Sequence, residues 1–129
     1  MKYTLEQCVE LVKKYPIDCT YTDPEAQKAS DEFYEKNGFR KEETWNLDAT
    51  ITAFLLPRIA YLRDTTNGFP ASLPYDNGYE QWIEILDKII TWLYKYLEDA
   101  PWNPDTSMTV EEIDEAKSLL VKYFESLWD

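Results

Sequence analysis

The stretch ETWNLDATITAFLLPRIAYLRD, residues 43–64, decides the fold. With Ile51 at zero on a wheel of about 100° per residue, Leu55, Arg58 and Leu62 fall within roughly 40° of it, and Phe54 and Ile59 flank them. Ala49, Ala53, Leu56 and Ala60 take the opposite side, so a helix over about 48–62 has almost no polar face and is expected to be surrounded by the other elements. Pro57 removes one intrahelical hydrogen bond and crowds the Ala53 carbonyl, which predicts a kink. Arg58 sits in the middle of an apolar face, and a desolvated guanidinium needs a partner. Three readings follow: a carboxylate among Glu43, Asp48, Glu80 and Asp87; a pocket in which Arg58 and Trp45 meet an anionic or aromatic ligand; or a side chain that reaches water.

Working outward, caps and period mark four more helices. Thr4-Leu5-Glu6-Gln7 and Thr109-Val110-Glu111-Glu112 have capping-box spacing. The first opens a helix that stops before Pro16, with Leu5, Cys8, Val9 and Val12 on one face. The second opens a helix that carries Ile113, Ala116, Leu119, Leu120, Tyr123, Phe124 and Leu127 out to Trp128 and is predicted to end with the chain. Asp23-Pro24 and Asn37-Gly38 bracket a peripheral helix over about 24–37 with a thin stripe of Ala26, Ala29 and Phe33. Residues 79–98 repeat Trp82, Ile83, Leu86, Ile89, Ile90, Leu93 and Leu97 at helical spacing. Two proline-containing connectors, Asn67–Pro74 and Ala100–Pro104, carry aromatics that read as exposed. No alternating strand is convincing. The expected fold is all-α: residues 1–129 as a single domain, a bundle of about five helices around a central Pro-kinked apolar helix.

With 129 residues, 44% apolar content and three glycines, the chain is long enough to bury a core and is neither disordered nor fibrous. The N-terminus has no apolar signal region and no run is a candidate span, so a cytoplasmic protein is expected. The formal charge of −12 is uneven. Residues 1–41 hold seven basic and eight acidic side chains (−1), and residues 42–129 hold six and seventeen (−11). That field argues against direct nucleic acid or membrane-surface binding and favours encounter with a basic protein. Five Trp, ten Tyr and five Phe are a surplus that serves cores and interfaces alike.

With no histidine and only Cys8 and Cys19, the sequence has no zinc-type cluster and no imidazole base, and the two thiols read as buried. Glu42-Glu43, Asp31-Glu32 and Glu111-Glu112 are adjacent pairs that diverge on a helix and read as solvated faces. Phosphate-binding and nucleophile motifs are lacking, so no enzyme, cofactor or metal is expected.

Glu43-x-Trp45-x-Leu47-Asp48, Leu56-Pro57-Arg58-Ile59, Gly68-x-Pro70 and Trp82-x-Glu84-Ile85-Leu86-Asp87-Lys88-Ile89-Ile90 resemble the pattern of a family of small, uncharacterised bacteriophage and prophage proteins. The likeness covers roughly residues 42–98. Ile59 and Ile89 stand where that family often has Leu and Met. It implies a phage context and action in the bacterial host cell, and brings no activity with it. The functional expectation is a non-enzymatic accessory protein that blocks a host protein with a basic surface, in counter-defence or host takeover. The alternatives are a protein that sequesters a nucleotide immune signal between Trp45, Arg58, Arg63 and connector aromatics, and a virion or assembly component. Trp45, Asp48, Arg58, Arg63 and Trp102 are the candidate ligand- or partner-binding residues. Trp92 and Trp128, near the polar boundaries of their helices, leave a homo-oligomer open.

Overall fold

A computed structural model describes residues 2–14, 20–99 and 108–128. Cys19 and Trp102 lie outside the described residues. The elements are α1 (Leu5–Val12), α2 (Pro24–Asn37), a 3-10 turn (Lys41–Thr44), α3 (Leu47–Thr65), α4 (Gly78–Asp99), α5 (Val110–Lys122) and a second 3-10 turn (Phe124–Ser126). The fold is all-helical, with no strand among the described residues.

The ends are set by local chemistry that the sequence already carried. Thr4 Oγ1 accepts from the Gln7 amide at 3.1 Å, and the Gln7 side chain accepts from the Thr4 amide at 2.9 Å. Thr109 and Glu112 close the same reciprocal pair at 3.1 Å each. Each box satisfies two amides that the first turn leaves orphaned. Asp23 caps α2 ahead of Pro24, and Gly38 ends it at φ 79°, a conformation open to glycine at little cost.

α4 is the spine. Trp82, Leu86, Ile89, Ile90, Leu93 and Leu97 are all buried, and α3, α1 and α5 pack against it. α3 touches α1, α4 and the first 3-10 turn, whereas α5 touches α4 and its own terminal turn, so α3 and α5 cover different sides of the spine. No helix among the described residues is long and apolar enough to cross a membrane.

Three expectations are corrected. α3 runs from Leu47 to Thr65 through Pro57, but it is not surrounded by the bundle. Its buried residues are Thr52, Ala53, Leu56, Ile59, Ala60 and Arg63, an arc centred about 140° from Ile51 on the wheel. Leu47, Ile51, Phe54 and Tyr61 are left about half exposed or more. The bulky side is the one left bare. Close approach to α1 and α4 is served by the small side chains instead.

The second correction concerns α5, which stops at Lys122. Tyr123 stays buried with its ring 5.6 Å from that of Trp82, and the tighter turn that follows takes Phe124 off the apolar stripe to 65% exposure.

The third concerns α2, which buries Ser30 and leaves Ala29 exposed. The reason is Glu42, expected to be solvated and in fact buried. Its carboxylate accepts from Tyr21 Oη at 2.8 Å and from Ser30 Oγ at 3.3 Å, and Arg40 Nη1 donates to Ser30 Oγ at 2.9 Å and Asp31 at 2.8 Å. α2 is therefore held by a polar hub where the other helices use apolar contact. The Tyr21 hydrogen bond, foremost, holds the Glu42 carboxyl below its ordinary range, and Arg40 does the same for Asp31. A carboxylate whose pKa is lower folded than unfolded stabilises above the unfolded value, and that contribution fades as pH falls through the folded one. Acidification below about pH 4.5 is thus expected to loosen α2. Glu42→Gln should flatten this acid limb when melting temperature is followed against pH.

Candidate functional site

The residues singled out in the sequence separate in space. Arg63, on the buried arc of α3, has a side chain only 3% exposed. Its Nε donates to Asp64 at 2.9 Å, and its Nη1 donates to Asp87 at 2.9 Å and to the Tyr3 carbonyl at 2.8 Å. Burial opposes the guanidinium charge, but the hydrogen bonds to Asp64 and Asp87 outweigh it and raise the pKa. Arg63 is the interior arginine with a carboxylate from another helix, the role that one of the three readings of the sequence gave to Arg58. Beside it, burial pushes the Cys8 thiol up to about 11, which leaves it protonated and unreactive at neutral pH.

Arg58 is exposed. Its guanidinium lies 3.8 Å from the Phe54 ring centroid and donates to the Phe54 carbonyl at 2.8 Å. Trp45, 67% exposed, closes the 3-10 turn before α3. Eleven residues of helix, roughly 16 Å, separate Leu47 from Arg58, and Arg63 points about 140° away from Arg58 around the axis. Trp45, Arg58 and Arg63 therefore do not converge on one pocket. Asp48 is exposed and takes a hydrogen bond from Tyr96, which holds its carboxyl below the ordinary range and pushes the Tyr96 hydroxyl up to about 12.

What the fold does assemble is a notch of about 460 Å³ between the connector after α3 and the terminal turn. Phe69, Pro70, Trp82 and Trp128 supply its apolar lining, with Thr66 and Glu125 as polar members. The volume is that of a side-chain or small-ligand site. One wall is fixed by packing. An added Cβ on Gly78 would lie 2.3–3.0 Å from three atoms of the Phe69 ring, so the glycine at the start of α4 is the seat of that ring. Thr66 Oγ1 donates to the Gly68 carbonyl at 3.3 Å, and Tyr79 Oη donates to the Thr66 carbonyl at 3.4 Å. Phe69 is half-buried, where the connector aromatic had read as exposed. Gly78→Ala should expel the ring at a cost of about 1–3 kcal/mol, read by denaturant unfolding together with Trp fluorescence.

The opposite wall is free. Trp128 is 74% exposed and the neighbouring Phe124 65%. Glu125 makes no ion pair among the described residues. Aromatic faces with a carboxylate beside them attract cations, because the ring quadrupole and the charge act with the same sign. Sequence reading found the parts, the Asn67–Pro74 connector and Trp128, but lacked the turn at Tyr123 that sets them face to face. Groups of three or more His, Cys, Asp or Glu that could hold a metal ion are absent among the described residues. No family model, curated protein or solved structure matches the chain.

Proposed function

We propose that this chain is a non-enzymatic accessory protein of phage or prophage type that acts in the bacterial host cell by binding and blocking a host protein with a basic surface. The notch carries this reading. Phe69, Trp82 and Trp128 with Glu125 form a receptor for a lysine or arginine side chain, set in a molecule of net charge −12. The overall charge steers a basic partner toward the surface, and the aromatic lining retains its side chain. The biological setting is inferred from the resemblance of residues 42–98 to a pattern of phage and prophage proteins.

The test uses the folded chain as bait in bacterial lysate beside its Trp128→Ala and Glu125→Gln variants. The expected companion is a basic protein that both substitutions weaken, Trp128→Ala by about tenfold, and that is released between about 50 and 300 mM salt as surface charges are screened. A companion held equally by the variants, or indifferent to salt, would overturn the reading.

A further inference from the structure

We propose that the bare face of α3 is a dimer interface, and that its occupant is the same face of a second copy of this chain, running antiparallel. The observation is independent of the notch. Leu47, Ile51, Phe54, Arg58 and Tyr61 follow one another at steps of four, three, four and three residues and are all exposed. That alternation is the seam of a two-helix coiled coil, in which each side chain enters a gap on a facing helix. The four apolar members are 49, 49, 50 and 60% exposed, and Trp45, at 67%, extends the patch at one end. With aromatic side chains of roughly 150–250 Å² each, the patch offers on the order of 500 Å² per copy. Two copies would then bury about 1,000 Å², the lower bound for a specific interface.

Arg58 selects the direction. It makes no ion pair among the described residues. A parallel pair would set Arg58 against its own copy in the middle of the seam, bringing like charges together out of water. An antiparallel two-fold avoids this, and one of its registers also brings a carboxylate to the arginine. Ile51 then faces Phe54 of the second copy, twice, at the centre. On either side Leu47 faces Arg58, with Asp48 of the second copy one residue along from Leu47 and available to the guanidinium. The Asp48 carboxylate, which accepts from Tyr96, is exposed and makes no ion pair among the described residues, so it is open to a guanidinium. Thr44 and Trp45 run alongside Tyr61 at the ends. Such an interface is isologous, as a closed dimer requires.

Sedimentation velocity on the full chain, from about 1 to 200 µM, reads the mass directly. The expected particle has twice the 15.3 kDa of one chain. Because each copy carries −12, added salt should tighten the dimer, the opposite of its effect at the notch. Phe54→Glu, a change at a half-exposed position, should give a monomer with unchanged helicity and melting temperature at low protein concentration. Arg58→Glu should weaken the dimer at least tenfold, and adding Asp48→Arg in the same chain should restore it, a rescue specific to the antiparallel register. A monomer throughout the range, a dimer indifferent to Phe54→Glu, or one strengthened by Arg58→Ala, as a parallel pairing would be, overturns the proposal.

Discussion

Replacing Arg63 with alanine is expected to destabilise the protein by about 3–5 kcal/mol, whereas the same change at Arg58, five residues away, should stay within about 0.5 kcal/mol. The two arginines share a helix and differ in what surrounds them. Arg63 ties three separate parts of the chain: its neighbour Asp64, Asp87 on α4 and the carbonyl of Tyr3 ahead of α1. Its removal leaves the Tyr3 carbonyl without its buried donor and the Asp87 carboxylate with Lys2 at 3.8 Å in place of an interior guanidinium, and polar groups short of partners account for most of the loss. Lysine should recover only part of it, since an ammonium cannot present the guanidinium's planar fork to three acceptors at once. Arg58 loses only a ring contact and a hydrogen bond to a carbonyl of its own helix, both at the surface. In thermal unfolding the difference should reach on the order of 10–15 °C in Tm.

The second large effect decides which side of α3 faces the core. Leu56 is 0% exposed between α3 and its neighbours, and Leu56→Ala should cost about 2–5 kcal/mol through lost burial and the cavity left behind. Ile51, 49% exposed, is the larger contributor on a wheel centred by bulk, yet Ile51→Ala should cost less than about 1 kcal/mol in the monomer. Urea unfolding of the two variants at low protein concentration measures both. Equal losses would mean that α3 is enclosed on all sides.

These contrasts mark where the sequence was legible. Capping boxes at Thr4 and Thr109, the proline and glycine that bracket α2, and the period of α4 are written within a few residues, and the helices form where those signals stand. The orientation of α3 is not written locally. Apolar residues occupy both sides of its wheel, and the choice between them depends on how closely α1 and α4 approach. Reading every side as covered put Arg58 in the interior, where Arg63 stands instead. Glu42 escaped for a related reason: its partners, Tyr21 and Ser30, stand 21 and 12 residues away, and nothing in Lys41-Glu42-Glu43-Thr44 announces them. Of the site, the aromatic residues of the connector were visible. The notch was not, because it depends on the turn at Tyr123 that brings Glu125 and Trp128 to face Phe69.

The segment ahead of α1 has a mechanical consequence. Tyr3 stacks on Tyr94 with centroids 3.7 Å apart, and its carbonyl holds Arg63 at 2.8 Å, so residues ahead of the first helix are anchored in the middle of the bundle. A pulling force applied at Tyr3, by an optical trap or by an unfolding ATPase, loads α3 and α4 from the first ångström and leaves no loose end to give way. Force applied at Trp128 meets a short turn and an exposed ring, and can peel α5 off before the spine yields. The molecule is therefore expected to rupture in one step when drawn from Tyr3 and in two when drawn from Trp128.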